Sequence, residues 1–237
     1  MKTIHLRLLK ISCSILVASV LQASTEDKAP NSPKPDHPTH QEGPHPKESL
    51  EKIRQGNQEF REQPGIAQDL LLPLSKGQRP HTVVISCSDS RVPPEIIFKQ
   101  APGQLFTVRT AGMSLDSNVI GSVEYAVEHL NSRNVVVLGH TSCGAVKATL
   151  ELQNKNEKVS EHSPALQELL TDLQPRLEVF KGLPHTPQLL HESSINTRGV
   201  VKDLLERSTL LRGHNATGKI LLTPAVYSLE TGRVDFL

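Results

Sequence analysis

Tryptophan is absent from this chain, tyrosine occurs twice and phenylalanine five times. So few rings exclude an aromatic platform for bases or sugars, and leave Val, Ile, Leu and Ala to build the core. No sign of charge dominates: 26 Lys and Arg face 25 Asp and Glu, giving a net charge of +1 and a pI of about 7.8. The electrostatic footprint of a nucleic-acid or anionic-membrane partner is therefore missing. The most apolar stretch, residues 11–21, is too short to span a bilayer. Cysteine is scarce too, with Cys13, Cys87 and Cys143 the full set.

What is present begins with a secretory pattern. Lys2, Arg7 and Lys10 precede the apolar stretch, and Ala23 is a small residue suited to cleavage. Residues 1–23 are expected to be a signal peptide, with export to the periplasm and no stable membrane association after its removal. Residues 24–47 hold six prolines and His37, His40 and His45, and are expected to form an extended, disordered Pro/His-rich linker. The folded domain is expected over 48–237.

Removal of a signal peptide takes Cys13 with it. The two remaining cysteines of an exported protein suggest a disulfide by default. The competing reading is two metal thiolates. Position favours metal, because Cys87-Ser88-Asp89-Ser90-Arg91 and His140-Thr141-Ser142-Cys143-Gly144 each surround the thiol with polar functional neighbours.

Periodicity predicts amphipathic helix over 49–60, with Leu50, Ile53, Asn57 and Phe60 near helical spacing, and a second helical piece over 70–76. Buried strands are expected at 82–85, 105–109 and 135–138. Helices are expected at 94–99, 116–130, 144–152, 164–180 and 195–206. A late strand begins at Ile220 and is disturbed by Pro224; a final one runs over 234–237. Strands alternating with helices, in near-continuous Val/Ile runs, predict an α/β fold with a mostly parallel central sheet flanked by helices and preceded by a helical arm. Both motifs fall at strand carboxyl ends, where open α/β sheets place their sites.

Zinc takes soft or borderline donors in a tetrahedron. His140 and Cys143 are three residues apart, so one turn can aim both at a point, while Cys87 comes 53 residues before His140 from another strand end. Three ligands leave the fourth position open to water or substrate. Two thiolates nearly cancel the ion's charge, so the site needs outer support. Asp89 can accept a hydrogen bond from zinc-bound hydroxide, and Arg91 can clamp Asp89 and keep it ionised. Gly144 lets a backbone N–H approach a substrate oxygen at a helix start.

With both motifs in view, the chain resembles the β-class carbonic anhydrases. The similarity includes Leu105 to Gly112, Gly121 to Val127, the strand before His140, and Ala225-Val226-Tyr227 with Thr231-Gly232. The resemblance implies reversible hydration of CO2 to bicarbonate and a proton through zinc-bound hydroxide. One Zn²⁺ for each chain would sit on Cys87, His140 and Cys143, with Asp89 and Arg91 as the catalytic dyad. It further implies that Gln78 donates an amide N–H to substrate, that Phe106 and Tyr125 shape an apolar slot, and that the protein is a homodimer or larger homo-oligomer with its pocket at the subunit boundary. Val84 stands where relatives with a regulatory bicarbonate pocket carry Trp, so that regulation is not expected. The alternatives are a CS2 or COS hydrolase on the same fold, and a non-catalytic zinc-binding envelope protein.

Overall fold

The computed structural model describes residues 43–155 and 163–237. The expected signal peptide and all but the last five residues of the expected linker lie outside the described residues.

Helix α1 (Pro46–Glu62) begins inside the stretch expected to be extended, because a proline at the first helical position forgoes an N–H that would have had no partner there. Among the described residues α1 buries none of its own side chains, and Ile53 is 73% exposed. The helical piece expected over 70–76 begins earlier, as a π-helical turn (Ile66–Leu71) running into the short α2 (Leu72–Leu74).

The chain then enters a five-stranded sheet. β1 (Thr82–Cys87) is followed by α3 (Pro94–Ile97), β2 (Leu105–Thr110), a 3₁₀ turn (Ala111–Met113) and α4 (Ser117–Glu128). β3 (Asn134–His140) leads into α5 (Gly144–Lys155), α6 (Pro164–Leu177), a 3₁₀ turn (Glu178–Phe180), α7 (Leu190–Arg207), α8 (Thr209–Ala216), β4 (Leu221–Tyr227) and β5 (Val234–Phe236). The strand order is β2-β1-β3-β4-β5, parallel except for the β4–β5 pair. Every residue of β1 is buried, as is every residue of β3 after Asn134, which is why both read as unbroken apolar runs.

One face of the sheet, with Val83, Ile85, Val135 and Val137, packs on Val119, Val123 and Val127 of α4, Val200 and Leu204 of α7 and Leu211 of α8. The opposite face, with Val84, Val136, Leu138 and Ala225, is covered more thinly, by Val92, by Ile97 and Phe98 around α3, and by residues after β4. Asp116 caps α4 by accepting from Val119 N–H at 2.8 Å. Ser208 ends α7 and caps α8 through Leu211 N–H at 3.0 Å, giving a helix the periodicity did not predict.

Pro224 does not break β4, contrary to expectation. Its carbonyl accepts from Leu237 N–H at 2.9 Å on the β5 side, and the N–H that proline lacks would point the same way, beyond the end of β5. The ladder to β3 is untouched, with Pro224 in register with Val137. No helix among the described residues is long and apolar enough to cross a membrane.

Candidate metal centre

After β1 the chain crosses to β2 on one side, then returns to lay β3 on the other side of β1. The carboxyl ends of β1 and β3 therefore flank the point where the strand order reverses, where such sheets open a crevice. Cys87 ends β1 and His140 ends β3. The turn after β3 takes Ser142 to φ 55°, held by Ser142 N–H donating to Gln188 O at 2.6 Å, and this sharp turn delivers Cys143 to the start of α5. The donor atoms of Cys87, His140 and Cys143 lie within 4.8 Å of one another, and all three residues are buried.

His140 is oriented from both ends. Its Nδ1–H donates to Thr141 O at 2.9 Å, which fixes the tautomer and leaves the Nε2 lone pair bare. That Nε2 is buried with no hydrogen-bond partner. Its carbonyl accepts from Ser193 Oγ of α7 at 2.8 Å. α7 comes this close because residue 139 is glycine: a Cβ there would collide with Thr197 Oγ1.

The two sulfurs are 4.0 Å apart. The hydrogen bond from Cys143 lowers the Cys87 thiol well below its ordinary value against the opposing effect of burial, with the N–H groups of Gly112 and Asp89 adding to it. Cys143 moves the other way, raised first by its bond to Cys87 and then by burial. A buried bare imidazole nitrogen beside that pair is a donor set that fits zinc.

Asp89 sits against this group, its Oδ2 3.8 Å from His140 Nε2. Arg91 holds the carboxylate in a fork: Nε donates to Oδ1 at 2.9 Å, Nη2 to Oδ2 at 2.7 Å, and the backbone N–H to Oδ1 at 2.9 Å. Those bonds to Arg91 lower Asp89 to about 2, so it is ionised throughout the neutral range. Arg109 sets the loop itself, donating to Cys87 O at 3.0 Å and Asp89 O at 2.7 Å. Gly144 follows Cys143 at the start of α5, with no atom within 4 Å of where its Cβ would be, so its backbone is open to approach.

Gln78, Phe106 and Tyr125 are gathered elsewhere. Gln78 precedes β1 and lines a crevice with His129 and Asn131, at the amino end of the sheet. β1 alone separates that end from Cys87 by about 17 Å at the usual strand rise. Phe106 is in register with Val83, whereas Thr110 is in register with Cys87, about 13 Å further along. The Phe106 and Tyr125 rings are 6.3 Å apart, and Tyr125 lies 5.1 Å from His129. The three residues therefore form one group with His129, apart from the metal donors of the same chain.

Two contributors went unread in the sequence. Gly112 donates its N–H to Cys87 Sγ at 3.4 Å, and Asn196 donates to Gly112 O at 2.9 Å. Gly112 stood in the resemblance as part of a run, without a role. Asn196 is 84 residues from its partner and offers no local signal.

With the geometry in place, known proteins supply a context. A family profile described as carbonic anhydrase matches residues 82–234. A protein named carbonic anhydrase 2, from Mycobacterium tuberculosis, is 35% identical over 193 residues, covering 76% of this chain and 87% of its own. A carbonic anhydrase of Mycolicibacterium smegmatis is 39% identical over 164 residues, covering 68% of this chain and 77% of its own. Among solved structures, the β-carbonic anhydrase CcaA superposes with a TM-score of 0.70 at 27% identity, covering 80% of this chain and 98% of that one. The Coccomyxa β-carbonic anhydrase, solved with acetazolamide, gives 0.64 at 25% identity over 82% of this chain and 87% of that one.

Proposed function

The chain belongs to the β-carbonic anhydrase family, a carbonate dehydratase that uses zinc, and we propose that Cys87, His140 and Cys143 hold the ion while Asp89 and Arg91 direct the attack on CO2. The observation that carries the reading is a bare, buried His140 Nε2 and two sulfurs beside a carboxylate that a guanidinium fork keeps ionised.

Zinc on these donors supplies a Lewis acid that acidifies a water molecule. Asp89 accepts the remaining proton of the attacking oxygen in a hydrogen bond, which turns a lone pair toward the carbon of CO2. Addition of that oxygen to CO2, with one C=O pair moving onto oxygen, would give bicarbonate, and the proton released to solvent would be the one the water had lost before the attack. Arg91 fixes the carboxylate in the orientation this requires and withholds it from protonation. Gly144 offers a backbone N–H to a substrate oxygen at the start of α5.

Gln78, Phe106 and Tyr125 enter from a partner subunit in this reading. Their grouping at the far end of the sheet supports a homodimer in which each chain's amino-end crevice covers the other's metal donors. Gln78 then donates its amide N–H to CO2, and the two rings keep the slot apolar. The exposed stripe of α1 supports an arm that packs on the partner. The basic start and apolar stretch of residues 11–21 support export to the periplasm.

The test is stopped-flow CO2 hydration by zinc-loaded protein beside its Asp89→Asn variant. The variant is expected to keep stoichiometric zinc and lose about 100-fold in kcat, the scale of removing one aligned polar group at a reacting centre. A zinc-loaded wild type that hydrates no CO2 would refute the activity. A variant with the wild-type rate would refute the role of Asp89 alone.

A further inference from the structure

The 3₁₀ turn behind Cys87 takes two successive residues into the left-handed region, which glycine accepts and methionine resists. Gly112 has φ 62° and Met113 has φ 60°. For methionine that is an uncommon conformation, and such residues persist where their surroundings over-determine them. Residue 112 must also be glycine for space, since a Cβ there would meet Leu173 Cδ2 at 2.5 Å and Ala145 Cβ at 2.9 Å. The product of this strain is one contact at the metal centre, the Gly112 N–H on Cys87 Sγ at 3.4 Å.

Something must hold the turn in that shape. Asn196 of α7 is fully buried and donates Nδ2–H to Gly112 O at 2.9 Å. Its own Oδ1 accepts from Arg176 Nη1 at 3.4 Å. Arg176, with a side chain 3% exposed, is fixed in turn by Asp203 and Asp172, each at 2.6 Å. Asp172 reaches back to the same segment by accepting from Leu115 N–H at 2.8 Å. On the strand side, Thr110 Oγ1 donates to Ser114 O at 2.8 Å and closes the turn from its other flank.

We propose that Asn196 is a positioning residue of the metal centre: by clamping Gly112 O, with Thr110 bracing the other flank, it holds the strained turn so that the Gly112 N–H stays on the Cys87 sulfur. The inference rests on Cys87 being a zinc ligand. It concerns how the chain presents that ligand, a matter separate from turnover. An N–H on a ligating thiolate both aims the sulfur and withdraws charge from it. Outer hydrogen bonds of this kind change metal affinity by about 10- to 100-fold when removed.

The experiment reads zinc affinity by chelator competition, together with the thiolate-to-metal charge-transfer band of the cobalt-substituted protein. Asn196→Asp is nearly isosteric and keeps its contact to Arg176, but its carboxylate has no hydrogen to give Gly112 O. Zinc affinity is expected to fall about tenfold or more, with a shifted cobalt band. Thr110→Val, also isosteric, loosens the turn without entering that buried network, and is expected to lower affinity several-fold; it decides the matter if the Asn196→Asp protein does not fold. Leu211→Ala, in the core around α8, lowers stability without removing a hydrogen bond of the turn and is expected to leave affinity and band unchanged. Wild-type affinity in both turn variants would overturn the role of Asn196 while leaving the zinc ligands assigned. A wild type that binds no zinc would overturn both.

Discussion

The proposed two-chain active site makes an unusually sharp prediction, because complementation then separates partners from neighbours. Gln78 stands before the amino end of β1 and Cys87 at its carboxyl end. A strand of that length spans about 17 Å, several times the reach of a glutamine side chain. In one chain, therefore, Gln78 does not serve Cys87, His140 and Cys143. Take two crippled proteins: Gln78→Ala, which keeps the metal donors, and Cys143→Ser, which keeps Gln78 and loses zinc. Each alone should lose about tenfold or more in kcat/KM. Co-expressed in equal amounts, the chains assort at random and about half of the dimers are mixed. Each mixed dimer rebuilds one complete site of its two, from the metal donors of one chain and the Gln78 of the other. Recovered activity should approach a quarter of wild type on the same count of chains, and should rise with the mixed fraction isolated on two affinity tags. Activity no greater than the average of the two parents would refute the two-chain site.

Gly139→Ala should cost about 1–3 kcal/mol in urea unfolding, since its Cβ would collide with Thr197 Oγ1. In a Thr197→Ala background at least about 1 kcal/mol of that cost should vanish, and an undiminished cost would refute the steric account. In zinc-free protein, the Asp89–Arg91 fork lowers Asp89 to about 2, so its stabilisation is present above the unfolded carboxylate value near 3.9 and is lost as pH falls through about 2. Wild type should therefore exceed Arg91→Ala by a margin that is constant above about pH 5 and closes at lower pH; with Arg91 side chain 44% exposed, solvent screening keeps the margin near 1 kcal/mol or less. A margin that widened on acidification would show the sign to be wrong. Chelation should lower the midpoint of thermal unfolding, with recovery on adding Zn²⁺ and none with Mg²⁺, because two sulfurs and an imidazole suit the softer ion. Recovery with Mg²⁺ would contradict the donor set.

The parts legible in the sequence share a cause. β1 and β3 are buried on both faces, so their Val/Ile runs announce a parallel interior, and each motif follows its strand directly. The unread parts depend on what lies across the fold. Leu50 and Ile53 mark a helical face correctly, but periodicity does not say whether the surface that covers a face belongs to the same chain; here both stay exposed. Pro224 looked like a strand breaker because one dimension hides which way an N–H points; its missing donor faces the short β5. α8 was lost because Gly213 and Asn215 dilute its apolar pattern, while the cap at Ser208 that starts it is a single residue. Gln78, Phe106 and Tyr125 came only through the resemblance, and no spacing rule would have grouped them with one another or separated them from Cys87.

Charge explains why so much of the chain is arranged around two sulfurs. A pair of thiolates cancels the charge of a zinc dication and so blunts the acidity it can confer, whereas each N–H aimed at a sulfur draws some of that charge back. The chain meets this need by two different routes. Cys143 stands at the start of α5, where the N–H groups of Ala145 and Val146 lower its pKa against the raising effects of Cys87 and burial. That route is local and is written in His140-Thr141-Ser142-Cys143-Gly144. Cys87 ends a strand, and no helix follows it to offer free N–H groups: the next residues form the loop that carries Asp89, and α3 begins only at Pro94. Its donors must come from its own loop at Asp89 and from Gly112 on the neighbouring strand's exit. The second source requires a left-handed backbone that Gly112 accepts freely but Met113 does not, and the restraint that holds it is buried in α6 and α7. The helix that solves the problem for one thiolate is replaced, for the other, by a clamped turn, which is why substitutions in a region remote in sequence should be felt at the metal.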